Sequence, residues 1–316
     1  MFPMHVLRLS CLCLVSLLAV QSAFARFERT VERTFNVSPG GTLTVSTQGG
    51  DVKVLPGKGD TVHVVATQYF RRADNAAEAD EAARDLEFKI EQNGNDVTAD
   101  ARFPRRSGWG FGGWPPVLVS FTVTVPEQYN VNLRTSGGDI EVGDLTGSAR
   151  AKTSGGDLEL GRINGPVDGS TSGGDIRLKA ALDRVHLGTS GGDIDVGDAS
   201  GDVHLETSGG DISVERATGR LRASTSGGDV SVVLDGSLSD DVSLSTSGGT
   251  VTARVPKNAG FRLDANTSGG EVEAEGLTIT IEKGGAGKSR LVGQVNGGGP
   301  ELKLRSSGGD IRVEVR

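Results

Sequence analysis

The segment Thr-Ser-Gly-Gly-Asp-Ile, or a close copy, returns with its Asp at Asp139, Asp157, Asp175, Asp193, Asp211 and Asp229, eighteen residues apart each time. Variants follow at Thr246-Ser247-Gly248-Gly249-Thr250 and Thr267-Ser268-Gly269-Gly270-Glu271, with a last copy at Ser306 to Asp310 and an early cousin at Thr47 to Asp51. A fixed period of this size means stacked near-identical units, each too small to bury a core alone.

Counting each unit from its Thr, positions 6 and 8 are apolar, as in Ile176/Leu178, Ile194/Val196 and Ile212/Val214. Position 15 is apolar and position 17 small or apolar, as in Val185/Leu187 and Val203/Leu205. Charged residues such as Arg177 and Asp195 lie between them. Alternation at period two means strands with one buried face. A second glycine turn sits half a unit away, at Gly147, Gly165, Gly201 and Gly219, and Leu182-Asp183 breaks it in the third unit. The expected fold is therefore all-β: a narrow parallel β-solenoid with coils about 4.8 Å apart, successive coils pairing in parallel. About ten coils make a rod of roughly 50 Å. Right-handed coiling is the default for parallel crossovers.

Aromatic residues are common before residue 130, and after it only Phe261 remains. This places a boundary near 130, with a β-rich capping region over 26–130 and the solenoid over 131–316. In the first region a helix is expected near 74–86, N-capped by Asp74, along with a hairpin around Asn93-Gly94-Asn95 and an aromatic loop over 104–116. Residues 1–25 read as a secretory signal peptide: His5 and Arg8 in the n-region, an apolar stretch at Leu14 to Val20, and small residues at Ala23 and Ala25. The alternative is an uncleaved anchor, for which the apolar run is short. The expected destination is the periplasm, the cell surface or the extracellular space. Both cysteines, Cys11 and Cys13, fall in that segment, so the mature chain has no thiol or disulfide chemistry. Without Arg8, 32 basic residues stand against 41 acidic ones, a net of −9. No basic patch or arm stands out, and nucleic acid is not an expected partner.

Within the repeat, Thr continues the inward alternation and can hand hydroxyl hydrogen bonds from coil to coil. The two glycines read as corner positions that permit φ > 0, and no helix follows them as a phosphate loop requires. The six aspartates would stand about 5 Å apart and repel by roughly 1 kcal/mol per neighbour. The structural explanation is that each accepts backbone N–H groups of its own turn. The alternative is a cation ladder of Asp139, Asp157, Asp175, Asp193, Asp211 and Asp229 holding Ca²⁺. The Gly-Gly-x-Gly-x-Asp pattern of calcium-binding β-rolls is absent, so no cofactor is expected. His186 and His204, both at position 16, should be outward neighbours without an evident third metal ligand.

No catalytic constellation is visible: the mature chain has three histidines, His63, His186 and His204, and no cysteine. The competing enzyme reading is a polysaccharide-active β-helix, whose longer coils and cleft-forming loops are missing. The candidate binding residues are Trp109, Phe111 and Trp114 beside Arg105 and Arg106, a hot-spot composition in a glycine-rich loop. The other reading of that loop is a cap over the open end of the solenoid. Membrane contact is expected only through these rings.

The Ser-Gly-Gly-Asp-Ile copies after a secretion signal, Val125-Pro126 and its echo Val255-Pro256, and the stretch Asn296-Gly297-Gly298-Gly299-Pro300 through Asp310-Ile311 resemble the bacterial putative adhesin family of β-strand-repeat proteins. The resemblance spans roughly residues 35 to 316. It implies a non-catalytic adhesin or binding protein acting on a surface, a glycan or an envelope protein; a periplasmic scaffold or signalling partner is the alternative. It carries over no catalytic residue.

Overall fold

The computed structural model describes residues 27–104, 115–236 and 238–316. The expected signal peptide, with Cys11 and Cys13, lies outside the described residues.

Among the described residues two fourteen-stranded sheets face each other, and one short helix completes the fold. Each repeat supplies one strand to each sheet. In the first sheet, Val52, Ile140, Leu158, Ile176, Ile194, Ile212 and Val230 pair in parallel register, coil upon coil. In the second, Leu43, Val131, Ala149, Val167, Val185, Val203 and Leu221 do the same. These two columns face inward and are fully buried. A shift of one residue would turn every core side chain outward, so the buried face holds the register. Burying each Val, Leu or Ile of these columns contributes about 1.5–3 kcal/mol.

The ends do not follow the order of the sequence. Strand Asp96–Arg102 pairs in parallel with Thr42–Thr47, and Val117–Pro126 with Val52–Gly57. The coil of residues 42–57 thus lies between that of 96–126 and that of 130–142. The change in aromatic content near 130 is accordingly not a break in the sheets. At the far end, Glu301–Ser306 and Ile311–Val315 insert between the coil of 242–255 and that of 261–274. Successive coils pair in parallel through the middle of the rod but not at its ends.

Antiparallel strands close both ends. Thr61–Phe70 lies against Val117–Pro126, and Glu28–Asn36 against Thr61–Phe70. Glu87–Asn93 pairs with Asp96–Arg102 across a turn in which Gly94 takes φ +59. The hairpin Ile279–Gly284 and Arg290–Val295 covers Phe261–Thr267. The helix, Ala76–Ala83, is shorter than the expected 74–86 and is capped by Asn75 rather than Asp74. Asn75 Oδ1 accepts the N–H of Glu78, three residues on, at 3.1 Å, while Glu78 Oε2 takes the Asp74 N–H at 2.9 Å; Asp74 stands four residues before Glu78, one too many for the cap. Ala79 is buried, and Ala82, Ala83, Leu86 and Phe88 pack on the core beside it. Phe88 stacks on Phe121 with centroids 6.4 Å apart. No helix of the described residues is long and apolar enough to cross a membrane.

Candidate functional site

The repeat corner is consumed by the fold. Thr153 Oγ1 donates to the Gly138 carbonyl of the preceding coil at 2.9 Å and accepts the Gly156 N–H of its own. Thr171, Thr189 and Thr207 repeat the bond to the coil before. The hydroxyl thus bonds backbone on both sides rather than another threonine. The corner glycines are not in the positive-φ region expected of them. At Gly156 a Cβ would sit 2.1 Å from the Gly138 carbonyl oxygen, so the requirement is close stacking of coils. Positive φ belongs to the second turn, as at Gly201 with φ +106.

The six aspartates form one column, extended at its start by Asp51. Their hydrogen bonds run between coils, not within a turn. Asp139 Oδ1 accepts the Asp157 N–H at 2.9 Å, and Asp157, Asp175, Asp193 and Asp211 each accept from the next aspartate at 2.7–3.0 Å. Asp229 accepts from Thr250 at 2.7 Å. A strand-to-strand spacing brings each carboxylate beside the next N–H, which no single repeat reveals. No group of three or more His, Cys, Asp or Glu side chains is arranged for a metal ion among the described residues. Asp175 Oδ2 also meets Arg177 at 2.9 Å. Beside this column, burial pushes the Asp195 carboxyl above its usual range; Asp193, Asp175 and Glu215 add to the rise and Arg177 opposes it. Trp109, Phe111, Trp114, Arg105 and Arg106 lie outside the described residues. The strands they join, ending at Arg102 and starting at Val117, belong to the outermost coil.

The surface best suited to a ligand is on the outer face of the second sheet. An open groove of about 650 Å³ crosses the coils from Asn130 and Asn132 to Asp202 and His204. A neighbouring hollow of about 490 Å³ shares Asp202 and His204 and continues past Arg222 to Ser243. Outward residues in strict register form its floor: Asn132, Arg150, Asp168, His186, His204, Arg222 and Ser243. Their spacing is that of the strands, about 4.8 Å. Arg150 holds Asp168 at 3.1 Å. His186 and His204 stack with centroids 5.0 Å apart and planes within 2°, and His204 Nε2 lies 2.9 Å from Glu206 Oε1. The histidine neighbours were legible from their shared repeat position. The rest of the floor carries no motif, although positions 14 and 16 mark it as outward.

A model of the family described as Toastrack DUF4097 matches residues 41–314. Among solved structures, the chain is similar to a putative lipid binding protein from Parabacteroides distasonis ATCC 8503, 15% identical with a TM-score of 0.46, over 90% of this chain and 96% of that one. A putative adhesin from the same organism is 13% identical with a TM-score of 0.42, covering 90% and 97%. A putative adhesin from Bacteroides fragilis NCTC 9343 is 10% identical with a TM-score of 0.37, also covering 90% and 97%. No curated protein matches. The resemblance drawn from the repeat is met at the level of the family domain.

Proposed function

The chain belongs to the Toastrack DUF4097 family, and from that premise we propose that it is an exported, non-catalytic β-solenoid that binds an extended surface ligand, a glycan before a protein. The groove on the second sheet carries this reading. It presents amides, hydroxyls, imidazoles and guanidinium groups from seven successive coils in one line, at the regular spacing a polymer with its own repeat can follow. Polar groups of this kind, fixed on a rigid sheet, give orientation and specificity to a sugar chain with little rearrangement. Export rests on the n-region, apolar stretch and small residues of the first 25 positions. A periplasmic scaffold without adhesive activity is the competing role.

Two measurements separate them. Protease accessibility on intact cells tests surface exposure. A glycan array with the full mature chain, repeated with His186→Ala and His204→Ala together, tests the groove. We expect surface cleavage and retention of a glycan class that the double variant releases. An array with no retained glycan, or retention untouched by the groove variant, sinks the reading.

A further inference from the structure

A second feature of the same sheet face lies beside the repeat corner, toward the end of the rod. Arg134 and Lys152 are register partners on neighbouring coils. Serines stand on either side in the same column, Ser46 before Arg134 and Ser170 after Lys152. A hollow of about 330 Å³ is lined there by the cations Arg102, Arg134 and Lys152 and by Ser46, Ser136 and Ser154. No Asp or Glu lines it among the described residues. Arg102 is already held by Glu87 at 2.9 Å and Asp100 at 3.4 Å. Arg134 and Lys152 have no ion-pair partner among the described residues.

This arrangement is out of character for the chain, which carries 41 acidic against 33 basic residues. Several arginines elsewhere on the coil faces meet carboxylates, as Arg177 meets Asp175, Arg254 meets Glu314 and Arg312 meets Glu273; Arg134 and Lys152 differ from these in standing unpaired as direct register partners. Two unpaired cations on adjacent coils repel each other, and an anion between them removes that repulsion. A guanidinium offers two parallel N–H donors and an ammonium three, with serine hydroxyls at the rim: a donor set for a compact oxyanion with several oxygens.

We propose that this pocket binds a sulfate or phosphate ester carried on a polysaccharide. It rests on the glycan reading above for the polymer and on the pocket alone for the anion. The described residues favour a sugar over a lipid as carrier. Their exposed large apolar side chains are Leu182 and Ile281, neither of them at the pocket, so among the described residues no apolar anchor accompanies the charge there. The net negative charge of the chain also disfavours diffuse attraction of polyanions, so any binding must be local.

The test uses the full mature chain with dextran sulfate, neutral dextran, inorganic sulfate and vesicles containing phosphatidylglycerol. The variants are Arg134→Gln with Lys152→Gln, and Arg254→Gln as a control on another face. Both positions of the double variant are exposed, and a thermal melt verifies that it folds. We expect dextran sulfate to bind and neutral dextran not to. The double variant should weaken dextran sulfate on the order of ten-fold or more, and the control should leave it unchanged. Inorganic sulfate should compete and shift the amide resonances of Ser136 and Ser154. Dextran sulfate binding that the double variant leaves intact overturns the proposal, as does preference for the vesicles. Inorganic sulfate held at the pocket with dextran sulfate unbound overturns it through the glycan reading; binding of neither overturns the pocket itself.

Discussion

The backbone N–H of Asp211 donates to Oδ1 of Asp193, 2.8 Å away on the coil before it. The same bond links every aspartate of the column to the next, so the carboxylates act as splints between coils. A charge-assisted hydrogen bond contributes about 1.5–3 kcal/mol, enough to offset the roughly 1 kcal/mol of repulsion between neighbours.

Asp193→Asn keeps an Oδ1 acceptor and removes one charge, so it should unfold in denaturant at or above the wild-type midpoint. Asp193→Ala leaves the Asp211 N–H without its partner and should cost about 1–2 kcal/mol. Equal midpoints for the two variants would show that the bond contributes nothing.

Calcium should be dispensable. Each Oδ1 from Asp139 to Asp229 is already taken by a backbone N–H, so melting temperatures with chelator and with millimolar Ca²⁺ should agree. A large rise on adding Ca²⁺ would restore the cation ladder.

Ile194 lies between Ile176 and Ile212 in the first sheet and is fully buried. Ile194→Asp places an unpaired carboxylate there and should destabilise by ~4 kcal/mol or more. A variant that melts like the wild type would contradict the register.

Tyr129 is buried, and its hydroxyl donates to the Asn95 carbonyl. Burial, with Asp96 nearby, pushes the phenol up to about 12. Above its ordinary value of about 10 the unfolded chain loses this proton while the folded one keeps it. Stability should therefore fall as pH rises through that window. Tyr129→Phe should remove this loss, leaving a flatter profile in equilibrium unfolding between those limits. An unchanged slope in the variant would assign the alkaline loss to other groups.

How much of this was legible depends on whether a feature belongs to one repeat or to two. The eighteen-residue period alone places Ile176, Ile194 and Ile212 in one column, because a strand has only two faces. The reason for Gly156 was not legible: its missing Cβ makes room for the Gly138 carbonyl of another coil, a distance that exists only after stacking. The partner of each aspartate was hidden for the same reason. The placement of Thr47 to Asp51 and Ser306 to Asp310 within the stack was also hidden, since both copies look locally like any other and only end closure decides their neighbours. Groove residues such as Asn132 and Arg222 carry no motif; their outward position was readable, their common floor was not.

The insertion of residues 301–315 between the coils of 242–255 and 261–274 has a consequence for how the rod is built. A simple solenoid lengthens coil by coil, each newly made unit condensing on the last. Here residues 261–274 leave the ribosome before the surface they dock on exists. The end of the rod therefore closes only once residues 301–315 are in place, and a chain interrupted before them is left with an open strand edge on the coil of 242–255. The arrangement couples closure of the rod's end to the presence of its last strands.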